Sequence, residues 1–327
     1  GGTIEILDGS TVKSFEHDIE IFSFGGDILV SGSDLFSRPE NGSGFGDLID
    51  LVSGGGDVTF SGGAVVDAGD DDIDIETNGG DLRVEGGAIF RAGDDIDIEL
   101  TTGDLTLTGS ASRFEGTDLD VDIDGENGDV LITNGFTINT GLNGAGDDID
   151  IDLDENGTIT ISEGVTLKTP DDEIDLETEG PIHISNSTLI TDGDDLDVWE
   201  GGELRITNST VDLTLPESDP SYPSSSEFDV NMEGSMTVGG DENHPVKVGT
   251  GGIWIDAGDL DLTQTFQSNG GQIDVETESD IQIGDAQDDR AGQMLTGQGE
   301  DVDLESDQGS IRVSSSSQIQ TLVETAS

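Results

Sequence analysis

Along this chain an apolar, acidic, apolar triplet keeps returning. It stands at Ile19-Glu20-Ile21, Ile49-Asp50-Leu51, Ile73-Asp74-Ile75, Ile96-Asp97-Ile98, Leu119-Asp120-Val121, Ile149-Asp150-Ile151, Ile174-Asp175-Leu176, Leu196-Asp197-Val198, Phe228-Asp229-Val230, Ile273-Asp274-Val275 and Val302-Asp303-Leu304. Ile253-Trp254-Ile255 fills the one gap in the series. The mean period is about 26 residues, within the range that marks solenoids, propellers and arrays. A second alternating triplet follows in most units, as in Leu82-Arg83-Val84, Leu105-Thr106-Leu107, Ile159-Thr160-Ile161 and Ile311-Arg312-Val313. A third, looser apolar cluster closes them, as in Ala64-Val65-Val66, Ala88-Ile89-Phe90 and Val165-Thr166-Leu167. Alternation at period two is the strand signature, and Gly, Asn and Asp fill the corners between. A propeller blade would need four strands in about 40 residues, and the Leu/Asn consensus of leucine-rich repeats is missing. The predicted fold is therefore all-β: a right-handed parallel β-helix (β-solenoid) of about twelve coils, with three short strands per coil. It forms one domain over 1–327, interrupted by loop insertions near 33–46, 215–226 and 284–300. At about 4.8 Å per coil the stack would rise roughly 53 Å.

Composition changes this picture in one respect, the thinness of the core. Only 31% of the chain is hydrophobic and 49 residues are Gly, which suffices if two apolar residues of each triplet point inward. Phe90 and Phe114 are expected to stack on neighbouring coils. There are 74 Asp and Glu against 10 Lys and Arg, a formal charge of −64. Low hydrophobicity with such charge ordinarily means disorder, but the periodicity argues for a fold. The charge repels nucleic acid and anionic membranes, so neither is an expected partner; cations are. No apolar run is long enough to span a bilayer. Absence of Cys removes thiolate metal sites, thiol catalysis and disulfides. The opening Gly1-Gly2-Thr3, the strand-like C-terminal residues and the lack of a capping helix suggest an excised segment, or a protomer that meets another chain at its ends.

The run Gly80-Asp81-Leu82-Arg83-Val84-Glu85-Gly86-Gly87-Ala88-Ile89-Phe90, preceded by Asp72-Ile73-Asp74-Ile75, resembles the haemagglutinin-type repeats of filamentous adhesins and other large secreted right-handed β-helix proteins. The resemblance covers nearly the whole chain at the level of fold. It implies an extracellular or cell-surface structural protein, often adhesive and without catalysis, that self-associates or meets neighbouring surface proteins. The composition is similar to that of proteins from extreme halophiles, such as haloarchaeal surface proteins.

The candidate chemistry lies in the acidic column at the centre of the first strand. Stacked carboxylates about 4.8 Å apart repel by about 1 kcal/mol in water and by several at an effective dielectric near 20, so something must neutralise them. Further acids sit just before the triplets, and together they suggest oxygen-rich corners suited to hard cations. The candidate ligands are Asp72, Asp74, Asp95, Asp97, Asp120, Asp148, Asp150, Asp172, Asp175, Asp195 and Asp197, with Ca²⁺ the expected ion. Diffuse screening by molar salt is the alternative. A carbohydrate-active β-helix enzyme or tailspike-like depolymerase would use paired carboxylates, but such pairs are everywhere here. Its basic partners are missing from the pattern: His17, His183 and His244 are isolated, and Arg83, Arg205 and Arg312 lie coils apart. The interrupted Thr column of the second strand is no ice-binding array. Among the scarce aromatics, Trp199, Trp254 and Tyr222 are candidates for partner or glycan contact. Asn41, Asn156, Asn186 and Asn208 head Asn-x-Ser/Thr sequons and are candidate N-glycosylation sites.

Overall fold

The computed structural model describes the whole chain except positions 1, 16, 38–47, 143–145, 155, 171, 193, 215–225, 241–242, 286–290, 298–299 and 322–327. The described residues form short strands and no helix, and none of their segments is a helix long and apolar enough to cross a membrane. The chain divides into two compact units, Gly1–Pro170 and Asp171–Ser327. Each is a parallel β-helix in which three strands make a coil and every strand pairs with its counterpart one coil away. The right-handed type is the one that parallel crossovers take.

Three sheets result in each unit. The acidic sheet of the first unit contains Ile19–Ser23, Ile49–Ser53, Ile73–Thr77, Asp95–Leu100, Asp120–Gly125 and Ile149–Leu153. Its second sheet begins at Ile4–Leu7 and its third at Thr11–Ser14. In the second unit the acidic sheet contains Ile174–Thr178, Leu196–Trp199, Phe228–Asn231, Ile253–Ala257, Ile273–Thr277 and Val302–Ser306. Alternate residues point inward, so Ile73, Ile75, Ile96, Ile98, Val121 and Ile123 are all buried beneath outward acids. A run of phenylalanines fills the interior of the first unit. Phe90 stacks on Phe114 at 5.0 Å, as the sequence predicts, and Phe60 and Phe136 extend the run at 4.8 and 5.1 Å.

Two kinds of corner hold the coils at their spacing. Between the second and third sheets a residue takes the left-handed conformation: Gly32, Gly62, Gly86, Asn134 and Glu163 in the first unit, Asn186 and Asn208 in the second. Glycine enters this region freely and Asn more readily than most residues. Ahead of the second sheet, glycines stack directly. A Cβ on Gly80 would lie 2.3 Å from the Gly56 carbonyl oxygen, and one on Gly103 would lie 2.2 Å from that of Gly80. Only a bare Cα fits there.

Two predicted insertions contain regular structure. Asp34–Ser37 is a third-sheet strand paired with Thr11–Ser14 and Val65–Asp67, and Gln293–Thr296 pairs with Thr265–Ser268 and Gln318–Thr321. Each is four residues long with too few apolar side chains to stand out from its polar surroundings. The remaining parts at 38–46, 215–225, 286–290 and 298–299 lie outside the described residues.

Candidate cation-binding face

The pleat of the acidic sheet exposes every second side chain, so each strand offers three outward positions rather than the single one apparent in the triplets. Across four consecutive strands of the first unit these are Asp72, Asp74 and Glu76; Asp95, Asp97 and Glu99; Asp120, Asp122 and Asp124; and Asp148, Asp150 and Asp152. Twelve carboxylates thus form a grid, three across and four deep.

One predicted position is corrected by this register. Asp97 pairs with Asp122, and Asp95 with Asp120. Asp120 therefore belongs to the column of Asp72, Asp95 and Asp148, and Asp122 takes the central place between Asp97 and Asp150. The segment Leu119-Asp120-Val121-Asp122-Ile123 contains two overlapping triplets, and sliding by two residues keeps every side chain on its face. The choice is made by neighbouring coils: Ile123 lies between Ile98 and Ile151, and Leu119 is buried at the corner beside Gly116. The third column, Glu76, Glu99, Asp124 and Asp152, escapes the triplet pattern because a fourth and fifth residue complete each strand.

In the second unit Asp175, Asp197, Asp229, Asp274 and Asp303 occupy the central column, and Trp254 stands in it between Asp229 and Asp274. Glu173 fills the outward position before Asp175, so the predicted Asp172 lies one residue off the grid, where its carboxylate accepts the Glu173 backbone N–H at 3.2 Å. Asp195 accepts the N–H of Glu227 at 2.5 Å. Trp199 lies in the third column, beside Glu177 and Asn231. Trp254 is half-buried over Gly252, where a Cβ would lie 2.5 Å from the indole Nε1. Asn156, Asn186 and Asn208 are exposed, and the last two are left-handed corners whose backbone N–H groups bond to Thr207 and Gly239. Asn41 and Tyr222 lie outside the described residues.

The grid has no cationic side chain of its own. All eight described Lys and Arg residues, Lys13, Arg83, Arg91, Arg113, Lys168, Arg205, Lys247 and Arg312, lie in strands of the other two sheets. Several are paired there: Arg83 with Asp81 at 2.7 Å, Arg91 and Arg113 with Glu115 at 2.8 and 2.6 Å, Arg205 with Glu203 at 2.7 Å, and Arg312 with Asp280 at 2.9 Å. Those bonds hold the carboxyls of Asp81, Glu203 and Asp280 below their usual range. Burial works against ionisation of Glu115, but its two arginines outweigh it.

On the grid the shifts run the other way. Partial burial first, and the like charges alongside second, push Asp95 and Asp150 up to about 7 and Asp74 and Asp120 up to about 6. Asp72, Asp97, Asp122 and Asp124 are raised for the same reasons, and Asp197 in the second unit rises to about 7. Asp122 carries a buried Oδ1 with no hydrogen-bond partner. Carboxylate oxygens of Asp72, Asp94 and Asp95 lie within 4.8 Å of one another. Farther along, Glu99, Asp124, Glu126, Asp152 and Asp154 line a cleft of about 270 Å³ together with Leu100 and Gly125. Oxygen-only donors converging from adjacent coils, one of them left without a partner, fit a hard divalent cation such as Ca²⁺.

No family model, curated protein or solved structure matches the chain. What the fold and the face define is a class: an acidic parallel β-helix with one sheet whose described residues carry acids and no Lys or Arg.

Proposed function

We propose that this chain is an extracellular structural and adhesive β-solenoid whose acidic sheet is neutralised by cations, with Ca²⁺ bridging carboxylates within a molecule and between molecules. The observation that carries the reading is the twelve-carboxylate grid with no Lys or Arg among the described residues of its sheet. Such a surface repels itself at low ionic strength and is quieted by salt or by bound divalent ions. Asp72, Asp95 and Asp120, with Asp74, Asp97, Asp122 and Asp150 beside them, are the ligands in the first unit. Asp175, Asp195 and Asp197 serve in the second. Here the carboxylates act as ligands and not as catalytic acids, and the solenoid works passively, as a stiff scaffold. The surface setting and the halophile-like chemistry are supported by the haemagglutinin-type repeat resemblance and the net charge.

The test is sedimentation in molar NaCl, comparing millimolar Ca²⁺ with chelator at fixed ionic strength. Calcium-dependent assemblies that dissolve in chelator are expected. A species of constant size in both conditions would refute calcium bridging and leave screening by salt to neutralise the grid.

A further inference from the structure

The acidic sheet of the second unit departs from the grid at two tryptophans, and their placement is regular. Trp199 and Trp254 face outward from strands separated by Phe228–Asn231 and stand one outward position apart. The same rows put Asp197 in the column of Trp254 and Asp256 in the column of Trp199. The four side chains therefore mark a rectangle roughly 10 by 7 Å from the strand and residue spacings of a sheet. The indoles hold one diagonal and the carboxylates the other. Asp229 lies midway along one edge. The Nε1, Cε2 and Cζ2 edge of the Trp254 indole lies beside Gly252, and both tryptophans are half-buried, so part of each ring is left for a ligand.

This arrangement asks for a ligand with flat C–H faces about 12 Å apart, since the indoles sit across the diagonal. It also asks for positive charge between those faces, where Asp197, Asp229 and Asp256 are. A uronic-acid or sulfated glycan would be repelled. A Lys-rich peptide answers the charge but has no rigid flat face to lay on an indole seated against the sheet. We infer that Trp199, Trp254 and the carboxylates between them form a binding site for an amino-sugar glycan with free amines, its pyranose faces on the indoles and its ammonium groups on Asp197, Asp229 and Asp256. The site gives the proposed adhesive role a substrate class and rests on that reading.

The full chain is titrated calorimetrically with a fully deacetylated glucosamine hexamer at 0.15 M NaCl. W199A/W254A is expected to weaken binding at least tenfold, W199F/W254F to keep part of it, and an oligolysine of equal charge to bind the wild type and the alanine variant alike. Three results would overturn the site: equal hexamer affinity in the alanine variant, equal wild-type affinity for the N-acetylated hexamer, or a tenfold oligolysine loss in the alanine variant. Circular dichroism checks that both variants fold. Because Asp197 serves both readings, the titrations are run in chelator; calcium bridging, read separately by sedimentation, can then fail while this site stands, and the reverse.

Discussion

Two lines of aspartates run along the first unit, and they live in opposite circumstances. At the corner ahead of the second sheet, Asp27, Asp57, Asp81, Asp104 and Asp129 are stacked one coil apart. Each carboxylate accepts the backbone N–H of the corner residue in the next coil, at 2.9 to 3.2 Å. On the acidic sheet, Asp74, Asp97, Asp122 and Asp150 are stacked in the same way, and there the dominant influences are burial and each other's charge. A carboxylate given a fixed N–H donor favours ionisation, whereas one crowded by its own kind resists it. The acidity of the chain thus has two origins: one line stitches coils together, while the other strains against its neighbours.

The sharpest way to break the stitched line is at its glycines. Gly103→Ala forces a methyl to within 2.2 Å of the Gly80 carbonyl oxygen at a φ of +125°. A loss of at least about 3 kcal/mol is expected, read as a collapse of the thermal midpoint.

The opposite sign is expected on the grid. D97N/D122N/D150N should raise the melting temperature at low salt by several degrees, at about 2–4 °C per kcal/mol for a unit of this size. The gain should vanish in molar NaCl. A fall at low salt would mean that each acid has a dedicated partner.

Acid should act in the same direction as that variant. Because Asp74, Asp95, Asp120 and Asp150 titrate at about 6 to 7 in the fold and near 4 when unfolded, the folded state binds more protons between those values. Stability therefore rises as pH falls from about 8 toward 4. Below that, the lowered carboxyls of Asp81 and Glu115 lose their stabilising bonds as they protonate, and stability falls. Melting curves from pH 3 to 8 in low salt should show this maximum, and D97N/D122N/D150N should flatten its neutral limb.

The smallest effect tests a single stitch. Asp104→Ala leaves the Asp129 N–H without its carboxylate, a loss of about 1–2 kcal/mol that urea titration at pH 7 resolves. If it matched Asp97→Ala in sign and size, the contrast between the two lines would be void.

Much of this was legible before any coordinates. The period, the three strands per coil and the Phe90 and Phe114 contact follow from alternation, because inward residues must be apolar and must recur once per turn. The placement of Asp120 was not legible, since two registers bury equally good side chains and only Ile98 and Ile151 decide between them. Nor was the breadth of the grid, since Glu76, Glu99, Asp124 and Asp152 look like turn residues until the strands are seen to run on. The stitched line was hidden for another reason: Gly-Asp reads as generic corner chemistry, and its hydrogen bonds join residues 23 to 30 positions apart. The sequons at Asn186 and Asn208 show the converse, a familiar motif whose Asn also answers a backbone need.

The confinement of the described Lys and Arg to two of the three sheets has a physical corollary at interfaces. The acidic sheet is then the most densely negative part of a unit, and on a positively charged support a unit should land with that sheet down. Immobilised on such a support, it would turn its arginine-bearing sheets toward the liquid, so that orientation comes without any engineered tag.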